Sequence, residues 1–247
     1  MRCGKVFESV VILWAFLAAL FGNAQAPEQY VTAQSLVLHQ KGNGVDGTLQ
    51  LMLDKRLTTS AQETLWGKGE WDFALSPESS LYKEFSNRPP VKSKLCIRNS
   101  MGKIVVERDL ETPQAKLEAW KPSGQAEQLF LLTQDNSSGA GSYSGLGTTI
   151  LTVSDATFHE VNALDARTHR EEPIRLMKAL KSDWRITQQG DKPEILSVSS
   201  HPKDADGNFV TVCIRYSLDQ GRWIKYSQER DGIWESDEPF PEMSAFH

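Results

Sequence analysis

Short apolar runs of strand length, separated by turns rich in glycine, proline and asparagine, recur along this chain and decide its fold class. Residues 48–53 alternate Leu49, Leu51 and Leu53 as a strand with one buried face. They follow the dense turn signal of residues 41–47 and read as a hairpin with residues 30–40. Residues 94–98 and 103–108 form the clearest hairpin, joined by Asn99-Ser100-Met101-Gly102. Residues 117–120, 127–134, 148–153, 157–161, 194–199, 209–216 and 222–226 read as further strands, and 232–234 as a last short one. The pattern specifies a mainly β fold, an antiparallel sandwich or a propeller-like array of small sheets, with one to three short helices.

The helix signals are local. Ser60-Ala61-Gln62-Glu63 is a capping box whose helix Gly67 and Gly69 cut short, and Ser76-Pro77 opens a second. Residues 173–184 are the best candidate: Pro173 opens the segment, Glu171 and Glu172 precede it, and Lys178 and Lys181 lie near its end. Ile174, Met177, Leu180 and Trp184 share a helical face, while Ile174, Leu176 and Leu180 also fit a strand. The tail from Glu235 is acidic and proline-containing, and is expected to run extended over the surface.

Residues 1–26 have the three parts of a secretory signal peptide: basic Arg2 and Lys5, an apolar run over 10–21, and small residues before a cleavage point after Ala24 or Ala26. The apolar run is too short for a comfortable membrane span. The expectation is an exported protein, periplasmic or secreted, with residues 27–247 forming one all-β domain and no integral membrane segment after cleavage. Removal of residues 1–26 leaves 25 basic and 31 acidic residues, a net charge of −6. That balance, with no lysine/arginine cluster, argues against a nucleic-acid partner. Cys96 and Cys213 are then the remaining cysteines, and either form one disulfide or stand as two buried thiols. Cys96-Ile97-Arg98 recurs as Cys213-Ile214-Arg215, the one hint of a two-fold internal repeat.

Enzyme signatures are missing from the sequence. There is no nucleophile elbow, phosphate loop, dinucleotide fingerprint or His-Glu-x-x-His, and His39, His159, His169, His201 and His247 have no metal-ligand spacing. A glycosidase pair such as Asp135 with Glu160 or Glu235 is conceivable, but nothing in the sequence selects it. Asp204, Asp206 and Asn208 alternate oxygens in the manner of a calcium loop, and Asp206-Gly207 reads equally as a hairpin turn. No other cofactor is indicated. The tryptophans suit either sugar stacking or the core, and the core is the ordinary place for them.

The stretch most suited to recognition is the polar loop between the runs Leu129–Leu132 and Thr148–Val153. It is rich in glycine and serine, and Asp135 and Tyr143 are its large side chains. Asn136-Ser137-Ser138 also forms a glycosylation sequon. Ser138-Gly139-Ala140-Gly141-Ser142-Tyr143 resembles the Ser-Gly-x-x-Tyr loop of bacterial periplasmic lysozyme inhibitors and of related immunity proteins of antibacterial secretion systems, with one more residue before the tyrosine. The resemblance covers six residues. It implies an exported β protein whose loop enters an enzyme cleft, with Ser138 and Tyr143 inserting. Asp135, Ser138, Gly139 and Tyr143 are the candidate binding residues, Asp135 and Tyr143 being the side chains large enough to grip a partner. The function so implied is non-enzymatic: binding a protein partner, a cell-wall hydrolase, as inhibitor or immunity protein. The alternative is a secreted hydrolase or binding module acting on cell-wall or other polysaccharide.

Overall fold

Period-two burial, repeated from strand to strand, stacks this chain into three sheets, antiparallel but for one parallel strand pair. A computed structural model describes residues 30–38, 46–54, 92–112, 115–135, 145–189 and 192–246. The first sheet is the meander β1 (Tyr30–Leu38), β2 (Gly47–Asp54), β3 (Lys94–Asn99) and β4 (Ile104–Asp109). The middle sheet runs β5 (Ala115–Trp120), β6 (Leu129–Asp135), β7 (Leu146–Ser154), with β8 (Thr157–Glu160) following on β7. Next in the chain come β9 (Asn162–Asp165), β10 (Glu171–Pro173) and β11 (Arg175–Lys178). Of these, β11 returns to the first half of β7, beside β8. The third sheet is the meander β12 (Ser182–Gln189), β13 (Lys192–Pro202), β14 (Phe209–Asp219) and β15 (Arg222–Asp231), extended by β9 and β10. The expected mainly β architecture of small antiparallel sheets is what forms.

The middle sheet is buried on both faces, which explains the unbroken apolar run at its centre. Phe130, Leu132, Leu151 and Val153 pack with Leu49, Leu51, Leu95 and Ile97 of the first sheet. Their neighbours Leu129, Leu131 and Ile150 turn the other way, against Ile195, Tyr216, Leu218 and Trp223 of the third. Alternation sends successive side chains to opposite faces, so a strand between two layers needs apolar residues at every position. Burying each such leucine stabilises by about 1.5–3 kcal/mol. Trp120 and Trp223, 5.7 Å apart between ring centroids, belong to this second core. Gln34 clips the first two sheets together at one edge. Its Nε2 donates to the Leu117 carbonyl at 3.2 Å, and its Oε1 accepts from the Leu117 N–H at 2.8 Å.

The segment expected as a helix is strand. Residues 173–184 break into the end of β10, all of β11 and the start of β12, with a turn around Leu180, which is 47% exposed. Ile174 and Leu176 are buried while Arg175 is exposed, so period two wins over the helical face. The physical reason is tertiary: Arg175–Lys178 supplies the ladder partner that residues Leu146–Thr149 of β7 need. The two capping signals near residues 60 and 76 lie outside the described residues.

The tail also differs from expectation. Residues 232–234 leave the sheet instead of extending it, and the chain folds back over the outer face of the third sheet. Trp234, Ala245 and Phe246 are buried there with Leu196, Val198 and Cys213, and Phe240 stacks on Phe246. The Trp234 N–H donates to Ser200 Oγ at 2.8 Å, and the indole N–H donates to the Pro239 carbonyl at 3.1 Å.

Cys96 and Cys213 are not bridged, and both are buried. Each lies on the third strand of a four-stranded meander, and each faces away from the middle sheet. With sheets stacked about 10 Å apart, the two thiols stand on the order of 20 Å from each other, far outside the ~7 Å Cα limit of a disulfide. Cys96 Sγ instead contacts Met52 Sδ at 3.2 Å, and Cys213 sits under the tail. Burial pushes the pKa of both thiols up, which keeps them inert.

Asp165 locks the turn between β9 and β10. Its carboxylate accepts from the Thr168 N–H at 2.8 Å and the Arg167 N–H at 3.0 Å, with Lys225 at 3.5 Å. The Thr168 bond, foremost, holds its pKa down at about 2. A carboxylate so lowered adds stability above its unfolded pKa and loses it as pH falls through the folded one. Asp165→Ala is therefore expected to cost about 2 kcal/mol at neutral pH. The gap to the parent should shrink between about pH 4 and pH 2, measured by urea denaturation across that range.

Candidate binding site at the feet of the β6–β7 loop

Residues 136–144 join β6 to β7, and both feet of this connection are held by packing. Asp135, at the end of β6, is opposite Leu146 and only 4% exposed. At the returning foot, a Cβ added to Gly145 would meet the Lys178 carbonyl oxygen at 2.1 Å. Only glycine lets the backbone lie that close to the end of β11. Between the feet, Thr133 Oγ1 and Thr148 Oγ1 share a hydrogen bond of 2.8 Å. Gln134 Oε1 accepts from the Glu111 N–H at 3.3 Å, tying β6 to the chain leaving the first sheet. Neighbouring strands are about 4.8 Å apart, a gap that a hairpin of two to five residues closes. The chain supplies nine residues there.

Beside these feet lies a polar groove of about 350 Å³. Its walls are the end of β4 with Arg108, Asp109 and Glu111, the strand ends with Gln134, Thr148 and Thr149, and β11 with Arg175 and Met177; Glu160 closes it. The first and middle sheets are clipped at their β1/β5 edge by Gln34, and they part at the opposite edge to form this groove. Arg175 and Glu160 pair at 3.4 Å, with Arg175 70% exposed. An exposed pair of this kind adds about 0–1 kcal/mol and exchanges readily for a ligand. The groove thus offers guanidinium donors, carboxylate acceptors and neutral amide and hydroxyl groups in one small space. It is suited to hydrogen-bonding a polar segment or a saccharide.

Of the residues expected at the site, Ser138, Gly139 and Tyr143 lie outside the described residues, as does the sequon. Asp135 is described, and it is buried at the end of β6 instead of being the exposed gripping side chain expected from the sequence. The carboxylate pairs considered for glycoside hydrolysis do not assemble. Asp135 is opposite Leu146 and Glu160 opposite Leu151, five residues further along β7. That is on the order of 17 Å, well beyond the ~5–9.5 Å of a glycosidase pair. Glu235 is elsewhere, 3.5 Å from Lys181.

The calcium-loop candidate folds as a turn. Asp204 Oδ1 accepts from the Asp206 and Asn208 N–H groups at 3.0 and 3.2 Å, and Oδ2 accepts from Asn208 Nδ2 at 2.7 Å. These bonds, that of the Asn208 side chain first, lower the Asp204 pKa. Among the described residues, no three His, Cys, Asp or Glu side chains gather as a metal site.

Sequence reasoning did not find the groove. Arg108, Gln134, Thr148 and Arg175 come from four separate segments, and no local pattern links them. No family model matches the chain, and neither does any curated protein or any solved structure. Gly145→Ala is expected to destabilise the protein by about 1–3 kcal/mol, the cost of forcing atoms into a closed space. Urea unfolding of the two proteins side by side measures it.

Proposed function

We propose that this chain is an exported, non-enzymatic binding protein that inhibits a cell-wall-degrading enzyme or gives immunity against it. The loop of residues 136–144 is the element it presents, with Ser138 and Tyr143 as inserting residues. The observation that carries this reading is the anchorage of the loop. Both feet leave strands buried on both faces, and Gly145 is seated against the Lys178 carbonyl. A loop on rigid feet loses little entropy on docking, and tyrosine gives large contact area for two rotatable bonds. The polar groove at the feet supplies a second contact surface for the rim of the enzyme's cleft.

The groove favours a second reading, a module that binds cell-wall polysaccharide, because Glu160, Arg175, Gln134 and Thr148 suit sugar hydroxyls. One set of variants separates the two. Under the inhibitor reading, Tyr143→Ala weakens capture of a lysozyme-type hydrolase by about 30-fold or more, the size of an interface hot spot. Glu160→Gln then changes it little. Under the glycan reading the order reverses, with Glu160→Gln abolishing retention on insoluble cell wall. Failure of the mature protein to capture or inhibit any lysozyme type contradicts the inhibitor reading.

A further inference from the structure

An edge strand exposes unpaired backbone N–H and C=O groups, and proteins ordinarily blunt it. Five of the edges described here are blunted. The first sheet ends on β1, which carries a bulge between Thr32 and Gln34, and on β4, which exposes Glu107, Arg108 and Asp109. The β5 edge is capped at Leu117 by the Gln34 amide. Along the far side of β7, β8 and β11 are four residues each, and β10 is three residues ending in Pro173.

The remaining edge, β12, has neither bulge nor proline, and its two charges are engaged within the chain: Asp183 pairs with Lys178 at 3.3 Å and Arg185 lies over the Phe240 ring. The strand runs eight residues in unbroken register with β13, from Ser182↔Ser199 to Gln189↔Lys192. Ser182, its first residue, is bridged to Ala179 on the outer side, and among the described residues no strand pairs with that side from Asp183 onward. At its middle sits Ile186, an apolar side chain 38% exposed. Ile186 is opposite Ile195 and so belongs to the face turned toward the middle sheet, while Arg185 and Thr187 belong to the other face.

We infer that β12 is a self-association edge, which pairs antiparallel with β12 of a second copy of this chain about a two-fold axis at Ile186. The geometry selects that register. An axis on a residue, perpendicular to the sheet, keeps the inner faces of both copies on the same side. Centred on Ile186, it sets Ile186 against Ile186 of the second copy, Arg185 against Thr187, and Trp184 against Gln188. Neither Asp183 nor Arg185 then faces a like charge, whereas an axis on Arg185 sets two guanidinium groups opposite each other. The six-stranded third sheet continues across the axis into the sheet of the second copy. Residues 183–189 make the ladder, an interface smaller than the ~1,600 Å² of a standard complex. The dimer is accordingly weak and concentration-dependent.

The test is cysteine cross-linking along two different edges. Ile186→Cys places two thiols opposite each other across the axis and is expected to form a disulfide-linked dimer under mild oxidation. Val105→Cys, equally exposed on the charged β4 edge, is expected to stay monomeric. The buried Cys96 and Cys213 do not compete. Sedimentation of the unsubstituted protein should show a reversible dimer rising toward millimolar concentration and lost in Ile186→Lys. A monomer at every concentration, or equal cross-linking of Val105→Cys and Ile186→Cys, overturns the inference. If Ile186→Lys fails to fold, the two cysteine variants decide the question alone.

Discussion

Every side chain from Leu129 to Leu132 is withdrawn from water, although these four residues alternate between the two faces of one strand. That is possible only if both faces are covered, and each neighbouring sheet exists in this arrangement because it does the covering. The first sheet gives Leu49, Leu51, Leu95 and Ile97 to one side, and the third gives Ile195, Tyr216, Leu218 and Trp223 to the other. Removing either layer would return a row of large apolar side chains to solvent. At about 25 cal/mol per Å² of apolar surface, no rearrangement of surface charges offsets such a loss.

The boundaries of the stack follow from the same requirement. The third sheet carries apolar residues on its outer face as well, at Leu196, Val198 and Cys213, and the C-terminal tail covers them with Trp234 and Phe246. At one side of the sandwich Gln34 supplies the hydrogen bonds that a further strand would have made with β5. At the other side the sheets part, and polar residues line the groove where the β6–β7 loop begins and ends. The position proposed for binding is thus beside the ends of the sheet that is buried on both faces. Preorganisation of that kind is what an inserting loop requires.

Strand positions were legible in the sequence wherever alternation or glycine turns marked them. The unbroken Leu129–Leu132 run marked a strand, but not that two sheets flank it. That second fact depends on distant partners. The helix expected over residues 173–184 failed because its apolar spacing satisfied both periods, and the choice was made by β7's need for a ladder partner. The tail was expected to run extended over the surface because Glu235, Asp237, Glu238 and Glu242 dominate its composition, while Trp234, Phe240 and Phe246 anchor it. Of the candidate site, the strands holding the loop were visible from Leu129 and Val153. The groove was not, since residues as far apart as Arg108 and Arg175 line one space only after the first and middle sheets have stacked. The two cysteines matched in local sequence, and folding placed them on faces pointing away from each other.

Native-state hydrogen exchange tests the doubly buried middle sheet most directly. Amides of β6 and β7, from Leu129 to Leu132 and from Ile150 to Val153, should open only with global unfolding and exchange slowest in the protein. Those of β1, β10 and the tail should exchange through smaller openings. Exchange of β6 and β7 at the rate of the edge strands would contradict a middle sheet covered on both faces, and with it the rigid footing of the loop.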